Sequence, residues 1–421
     1  MRAQIEGSQA VAEAVVSCRP EVIAAYPISP QTHIVERLSR MVKQGDVGQC
    51  QYLNVESEFA ALSVLIGASA AGARTYTATT SQGLLFMAEA VYNAAGLGLP
   101  IVMTIANRAV GAPINIWNDH SDSMALRDAG WIQLYAETNQ EAADLHIHAF
   151  RLAEELSCPV MVCMDGYILT HAYEPVDVPE QNIVDAFLPP YSPVQALDPS
   201  DPISIGAMVG PEAFTEVKYL AHRQHLRALT LIPEIAGDFE RQFHRSSGGL
   251  CELYRMEDAD IAVIALGSVI GTIKDAIDEL RLEGIAAGCV KIGCYRPFPS
   301  LQLRAALEGV SRMIVVEKDL AVGMGGIVSA DVRMALQGSA VSVHTVIAGL
   351  GGRSISMASL KRMVLEARAE RLNEPHFLDL NTAVIDAEQS RRREQRRAGP
   401  VAEQVLRAVN AIGANTASSR D

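Results

Sequence analysis

Three polar side chains stand close to points where strand-like runs of the sequence end, and their types could bind and activate a small organic acid. Ser29 lies between two prolines in YPISP, Glu58 follows QYLNV and opens an apolar, alanine-rich helix pattern, and Arg108 follows the apolar run PIVMTIAN. The prolines fix their own φ angles and so aim the serine hydroxyl. A carboxylate can share a proton, and a planar guanidinium suits a substrate carboxylate.

Each of these residues also has a purely structural interpretation. Ser29 could cap the helix that is predicted to begin near Gln31. Glu58, or Glu56 just before it, could stabilise a helix N-terminus through its negative charge. Arg108 could form a structural salt bridge. The residues alone leave these alternatives open.

The elements that must position these side chains follow from the apolar pattern. Up to about residue 175, helix-like and strand-like segments alternate, which predicts a mainly parallel sheet covered by helices on both faces. In such a sheet, ligands bind beyond the carboxyl ends of the strands. YPISP, VESE and ANRAVGAP all follow predicted strands, so we expect them to meet at one edge of the sheet.

A second alternation of strand-like and helix-like segments begins at ADIAVIALGS. The proline-rich stretch before it, from Pro175 to about Leu250, is predicted to be a connecting segment that contains some helix. We therefore predict an α/β fold with two doubly wound parallel-sheet domains. The first spans residues 1–250 with its connecting segment, the second residues 251–385, and a C-terminal helical extension residues 386–421. The basic run QSRRREQRR in that extension is interpreted as a solvated helix face.

Composition excludes several classes of function. The net charge of −14 is opposite to that of a nucleic-acid-binding surface, and no apolar run is long enough to cross a membrane, so a cytoplasmic protein is expected. The seven cysteines are scattered and lack CxxC spacing, which predicts reduced core thiols and no iron–sulfur cluster in this chain. Phosphate-loop, dinucleotide, nucleophile-elbow and HExxH motifs are absent.

Several long motifs nevertheless occur in a characteristic order: YPISPQT, ESE, TSQGLLFM, ANRAVGAPINIWNDHSDSMALRDAGWIQL, MDGY, YRPFP and GLGGR. In these motifs the chain resembles the α subunit of the pyruvate-type 2-oxoacid:ferredoxin oxidoreductases, from about residue 5 to residue 380. The resemblance implies a thiamine diphosphate enzyme. The first domain would bind the cofactor's pyrimidine ring, and the second would be similar to the C-terminal domain of transketolase.

The resemblance also implies roles for individual residues. Glu58 would hydrogen-bond the aminopyrimidine ring and favour the tautomer that removes the proton from the thiazolium carbon. Tyr26, Pro27 and Ile28 would contact the cofactor. Ser29 and Arg108 would bind the substrate, the first through its hydroxyl and the second through its guanidinium.

The same resemblance implies partners, because one chain would hold half an active site. No GDG…N signature for a magnesium diphosphate is present, so Mg²⁺ and the diphosphate would lie on a β subunit, and no metal ligand is predicted in this chain. Clusters of the [4Fe-4S] type would lie on partner chains, including γ- and δ-type subunits. Electrons would pass to ferredoxin or another acceptor, and coenzyme A would be the co-substrate of a CoA-acylating oxidative decarboxylation.

Two departures from the family pattern bear on the substrate. Ser29 stands where threonine is usual, which enlarges the pocket by one methyl and leads us to consider a substrate bulkier than pyruvate, such as 2-oxoisovalerate or phenylglyoxylate. Ser354 follows GLGGR where an acid is common. Two alternatives remain at this point: a subunit of a lipoyl-linked 2-oxoacid dehydrogenase, and a non-catalytic assembly subunit that kept the fold.

Overall fold

The alternation of strands and helices is present in the computed structural model, which describes residues 2–395 and 402–417. Contacts group the chain into one unit that ends at His376 and a second that begins at Phe377. The first part of the larger unit contains β1 (Arg2–Glu6), α1 (Gly7–Ser17), β2 (Val22–Ala25), α2 (Thr32–Gln44), β3 (Gln51–Asn54), α3 (Glu58–Ala70), β4 (Thr75–Thr79), α4 (Ser81–Phe86), α5 (Ala88–Gly96), β5 (Val102–Asn107), α6 (Ser121–Ala125), β6 (Ile132–Tyr135), α7 (Asn139–Leu156), β7 (Val160–Asp165), β8 (Tyr173–Asp177), α8 (Gln181–Phe187) and α9 (Phe214–Phe243).

The first large sheet has the strand order β12-β6-β7-β5-β4-β2-β3, where β12 (Cys294–Arg296) comes from later in the chain. All of its strand pairs are parallel except the pair of β12 with β6. Successive residues of a strand point to opposite faces. Ile23 and Ala25 of β2 therefore pack in one core with α1, α2 and α7, whereas Ala24 packs in another with α3 and α5. Helices thus cover both faces, and the carboxyl ends of β2, β4 and β5 lie at one edge. Separately, β1 and β8 form a two-stranded antiparallel sheet.

The second large sheet follows α9 and contains, in spatial order, β14 (Ser342–Ile347), β13 (Arg312–Glu317), β10 (Ile261–Ala265), β11 (Ala287–Ile292) and β9 (Cys251–Tyr254). Among these strands only β9 is antiparallel. The predicted α/β class with parallel sheets is thereby confirmed. The remaining elements of the larger unit are β9 (Cys251–Tyr254), β10 (Ile261–Ala265), α10 (Val269–Leu282), β11 (Ala287–Ile292), β12 (Cys294–Arg296), α11 (Ser300–Ala306), β13 (Arg312–Glu317), α12 (Val328–Ala335), β14 (Ser342–Ile347), a 3-10 turn (Leu350–Gly352) and α13 (Met357–Arg368).

A two-residue strand, β15 (His376–Phe377), stands at the division between the units, and the smaller unit contains α14 (Thr382–Gln395) and α15 (Ala402–Ala417). Part of the basic run QSRRREQRR and of the predicted extension over residues 386–421 lies outside the described residues. The domain division at residues 250 and 385 stays a prediction. No helix in the described part of the chain combines the length and apolar character needed to cross a bilayer.

Three details differ from the sequence expectations. The connecting stretch contains a long helix, α9, of 30 residues, which continues through Pro233. The apolar pattern predicts one helix from Gly83 to about Ala95, but the structure has two helices that break at Met87. The run GCVKIGCYRPFP divides between the sheets, because β11 joins the second and β12 pairs with β6 of the first.

All seven cysteines are free thiols, and all but the partly exposed Cys251 are buried, as the sequence predicts. A buried ion-pair network joins the two sheets. The Lys291 ammonium in β11 lies 2.8 Å from both carboxylate oxygens of Glu141 in α7, and it also contacts Glu137 and Glu252 at 3.1 and 3.2 Å. Burial raises the pKa of Glu141, although Lys291 opposes that shift. The Lys291 ammonium therefore offsets the cost of burying the Glu141 carboxylate where the two sheets meet.

We expect Lys291→Met to reduce the free energy of unfolding by about 3–5 kcal/mol, because it leaves the buried Glu141 carboxylate without its counter-ion. Urea denaturation of the purified chain measures this difference. The control is Arg241→Met, which removes an ion pair with Asp238 whose arginine side chain is 73% exposed, and it should change stability by less than about 1 kcal/mol. Equal effects of the two substitutions would contradict the assigned role of Lys291.

Candidate active site

The YPISP loop follows β2, and the buried side chain of Gln31 links it by hydrogen bonds to β4. The Gln31 amide donates to the carbonyl of Ala78 at 2.6 Å, and its oxygen accepts from the N–H of Ile28 at 3.3 Å. Ser29 is exposed, and its hydroxyl has no hydrogen-bond partner among the described residues. Helix α2 begins at Thr32 without a side-chain cap, so the alternative that Ser29 caps it is wrong.

The two acids of VESE have different environments. Glu56 is exposed, whereas Glu58 is 7% exposed and begins α3, for which Ser57 supplies the cap by accepting from the N–H of Ala60 at 3.1 Å. Within the described part of the chain, the Glu58 carboxylate has no hydrogen-bond partner. Since a buried carboxylate ordinarily requires donors, Glu58 is available to one that this chain does not provide.

The Glu58 side chain lies against α4. A Cβ at Gly83 would come within 2.6 Å of Glu58 Oε1 and within 2.7 Å of Thr79 Oγ1, so only glycine leaves space for the carboxylate there. The Thr79 hydroxyl is itself buried and has no hydrogen-bond partner among the residues that the structure describes. A buried acceptor and an unsatisfied hydroxyl thus lie together where β4 ends.

Arg108 lies directly after β5 and contacts the YPISP loop. Its Nη1 donates to the carbonyl of Ser29 at 2.9 Å, and its Nε donates to the carbonyl of Asn115 at 3.2 Å. The residue is 8% exposed, and no acid in the described residues pairs with it. The structural salt bridge considered for Arg108 is therefore not present in the described chain, which leaves a buried cation suited to an anionic ligand.

Asp122 fixes the backbone around this arginine. Its carboxylate accepts from the N–H groups of Ser81, Arg108 and Ser123 at 2.9, 3.0 and 2.8 Å, and from the side-chain amide of Asn107 at 2.8 Å. Burial raises the pKa of Asp122 to about 6, although these four donors oppose the shift. The loops that follow β4 and β5 are thus held by one side chain.

The GLGGR loop after β14 supports the same region from the second sheet. The side-chain amide of Asn115 donates to the carbonyl of Gly351 at 3.1 Å, and the Gly351 N–H donates to the Asp119 carboxylate at 3.1 Å. Ser354, the position that departs from the family pattern, is exposed. Since Asn115 also receives the Arg108 hydrogen bond, the second sheet helps to position that arginine.

A buried cluster of charged and polar side chains lies at the C-terminal end of β7. Asp165 accepts from Lys318 Nζ at 2.8 Å and from the N–H of Ser268 at 3.0 Å, and its other oxygen lies 2.7 Å from His120 Nε2. Burial alone would raise the pKa of Asp165, but the Lys318 ammonium and the His120 ring hold it well below its usual range. The cluster joins loops of both sheets.

The structure therefore brings Ser29 into contact with Arg108 and places Glu58 at the same sheet edge, at the N-terminus of the helix that follows β3. Tyr26 and Pro27 are exposed and Ile28 is partly exposed, so the loop residues predicted to contact a cofactor are accessible. Sequence reasoning did not single out Gln31 or Asp122. Two signals in the sequence could have identified them. Gln31 directly follows the YPISP loop, and Asp122 lies within the long motif that begins at Ala106.

Comparison with known proteins gives consistent results along the chain. A family model described as pyruvate flavodoxin/ferredoxin oxidoreductase, thiamine diphosphate-binding, matches residues 13–236. A second, described as pyruvate:ferredoxin oxidoreductase core domain II, matches residues 259–360. The first match includes β2 to β8, and the second includes β10 to β14.

Similar curated proteins span nearly the same length. Pyruvate synthase subunit PorA of Methanosarcina barkeri is 46% identical over 390 residues, which are 90% of this chain and 97% of that protein. Ketoisovalerate oxidoreductase subunit VorA of Pyrococcus abyssi is 39% identical over 360 residues, which are 85% of this chain and 91% of that protein.

A solved structure shares the fold. It is a 2-oxoglutarate:ferredoxin oxidoreductase from Magnetococcus marinus, with a TM-score of 0.65 and 20% sequence identity. The similarity covers 87% of this chain but only 65% of that longer chain. At this identity the match supports the architecture alone.

We expect Gly83→Ala to lower stability by about 1–3 kcal/mol, because the added methyl must displace the Glu58 side chain or the Thr79 hydroxyl. The matched control is Gly271→Ala in α10, where a Cβ would meet nothing within 4 Å, and this change should be neutral or stabilising by up to about 1 kcal/mol. Urea denaturation of both variants provides the comparison. A neutral Gly83→Ala would show that the carboxylate does not occupy this space.

Proposed function

Because the chain belongs to the pyruvate flavodoxin/ferredoxin oxidoreductase family, we propose that it is the α subunit of a 2-oxoacid:acceptor oxidoreductase complex. The complex would convert a 2-oxo acid and coenzyme A to an acyl-CoA and carbon dioxide, and pass two electrons to ferredoxin or another acceptor. The observation that carries this proposal is the buried Glu58 carboxylate, which has no partner in the described chain.

The residues present fit the pyrimidine end of thiamine diphosphate. Glu58 offers an acceptor for a ring N–H, and beside it the buried Thr79 hydroxyl has no hydrogen-bond partner in the described part of the chain. The cofactor supplies a nucleophilic carbon that activates the 2-oxo acid for loss of carbon dioxide. Glu58 would hold the proton shared with the ring, in a setting where burial strengthens that hydrogen bond. Tyr26, Pro27 and Ile28 would border the cofactor.

The substrate would be held by the pair formed by Ser29 and Arg108. The guanidinium lacks a carboxylate partner in the described chain, and a substrate carboxylate would supply one. The exposed Ser29 hydroxyl, also without a partner, could then donate to the oxo group. The names of the similar proteins include both pyruvate and ketoisovalerate enzymes, which supports a substrate of pyruvate's size or with a branched side chain.

Assembly with partner subunits is supported by the surface around the site. The rings of Phe59 and Phe86 are 38% and 61% exposed and contact each other at 6.4 Å between centroids. Ile114 and Trp117, in the loop after Arg108, are 78% and 52% exposed. Exposed apolar groups of this size are typical of an interface. We propose that a β subunit covers them and holds the diphosphate and Mg²⁺, with [4Fe-4S] clusters on this and γ- and δ-type chains.

We expect Glu58→Gln, in the complex reconstituted with its partner subunits, to lower 2-oxo acid decarboxylation by at least about 100-fold, because the amide cannot share the proton. Glu56→Gln is the matched control: its side chain is exposed, so activity should stay within about twofold. The assay is the reduction of a dye that depends on coenzyme A and the 2-oxo acid. Full activity of Glu58→Gln would favour a non-catalytic assembly role, and lipoyl domains in the purified complex would favour the dehydrogenase alternative.

Ser29→Thr tests the size of the substrate pocket. The added methyl should lower the catalytic efficiency for 2-oxoisovalerate relative to pyruvate by about tenfold, since one methylene in an apolar pocket is worth that much discrimination. Ser29→Ala, which removes the hydroxyl without adding volume, should instead lower efficiency for both substrates. If pyruvate is preferred to the same degree in the wild type and in Ser29→Thr, the pocket argument fails.

A further inference from the structure

A group of three metal-binding side chains lies apart from the residues discussed above. Glu6 ends β1, His33 is the second residue of α2, and His171 lies in the turn between β7 and β8. One potential ligand atom of each lies within 4.8 Å of those of the other two. We propose that these residues form a binding site for one divalent metal ion with the coordination chemistry of zinc.

The donor set suits zinc. Two imidazoles and one carboxylate bind Zn²⁺ in tetrahedral geometry and leave a fourth position for water. His33 Nδ1 lies 2.7 Å from Glu6 Oε1, while ligand atoms around zinc are roughly 3.3 Å apart, given bonds of about 2.0–2.1 Å. The two side chains must therefore separate by roughly 0.6 Å. The His33 side chain is 49% exposed, so it can move by this amount.

The third donor is held in place by its neighbours. His171 Nδ1 lies 2.7 Å from the Thr170 hydroxyl, which accepts from the N–H of Tyr167 at 2.8 Å. When the His171 Nδ1–H donates to this hydroxyl, Nε2 is the nitrogen left with a lone pair for a metal. The ring centroids of His33 and His171 are 4.5 Å apart, and that of Tyr167 is 4.7 Å from His171. Hydrogen bonds of this kind orient metal-binding histidines in known sites.

A simple ion pair explains only part of this arrangement. Glu6 and His33 alone would satisfy each other, and that pair gives no role to the His171 ring, whose centroid lies 4.5 Å from that of His33. A metal ion uses all three groups, because it binds both imidazoles in their neutral form together with the carboxylate. The cluster is therefore better explained as a metal site than as a surface ion pair.

A bound ion would have a structural effect on the candidate active site. It would tie the first strand to the start of α2, just beyond the YPISP loop, and to the turn between β7 and β8. Tyr167 in that turn contacts Trp117, in the loop after Arg108, with centroids 4.9 Å apart. Because an ion that binds only the folded state stabilises it, zinc should raise the melting temperature of the chain.

The test uses the full, untagged chain after treatment with a chelator and its removal. Titration with Zn²⁺ in a calorimeter should give one ion per chain, and Co²⁺ should give the absorption bands of a tetrahedral site. His33→Ala and His171→Ala should each weaken binding at least tenfold, and Thr170→Val should weaken it measurably. The matched control, His222→Ala, removes an exposed histidine of α9 and should leave binding unchanged.

Circular dichroism without metal must show that each variant folds, and the zinc-dependent rise in melting temperature should disappear in His33→Ala/His171→Ala. Absence of zinc binding by the wild-type chain would overturn the proposal. Equal binding by the wild type and the double variant would also overturn it, because the ion would then be adventitious. Neither result depends on decarboxylation activity, so this proposal and the proposed function can fail separately.

Discussion

The geometry of the candidate active site depends on the buried carboxylate of Asp122. It accepts four hydrogen bonds, three of them from backbone N–H groups in the segments that follow β4 and β5 and begin α6. These N–H groups lie outside the sheet ladders, because Ser81 and Ser123 are in the first turns of α4 and α6 and Arg108 follows the end of β5. Burial raises the pKa of Asp122 to about 6, so the folded state binds its proton more readily than the unfolded chain. Ionisation of this group therefore opposes folding above that pH, and the four donors offset part of the cost.

The second sheet acts on the site through polar contacts rather than through a shared apolar core alone. Asp165 ends β7 of the first sheet and accepts from Lys318, which directly follows β13 of the second. Asn115 links the guanidinium of Arg108 to the backbone of Gly351. Such contacts require specific distances and angles, whereas apolar packing tolerates some sliding. They fix the relative position of strand-end loops that belong to different sheets.

The sequence was sufficient for the fold class and for the edge of the sheet where the site lies, because both follow from local periodicity. The local pattern could not distinguish Glu58 from Glu56, and only the family resemblance selected Glu58. The difference arises from the contact of Glu58 with Gly83, a residue distant in sequence. The length of α9 was missed because Pro233 and the proline-rich segment before it are typical of loops, and packing against α7 overrides that preference. The pairing of β12 with β6 was missed for the same reason, because tertiary contacts decide which sheet a short strand joins.

Two buried ionisable side chains without an oppositely charged partner in the described chain explain why such a subunit would need other subunits. Glu58 and Arg108 are 7% and 8% exposed, and an unpaired buried charge ordinarily costs several kcal/mol. Pairing them with each other would lower that cost, yet the structure holds Arg108 on two backbone carbonyls instead. On the proposed function, each charge meets its counterpart only when ligands are present: a ring N–H for the carboxylate and a substrate carboxylate for the guanidinium. Ligand binding then removes the unfavourable free energy of the unpaired buried groups, which increases the affinity for the ligands. The exposed rings of Phe59 and Phe86 mark where a partner subunit would exclude water from the site.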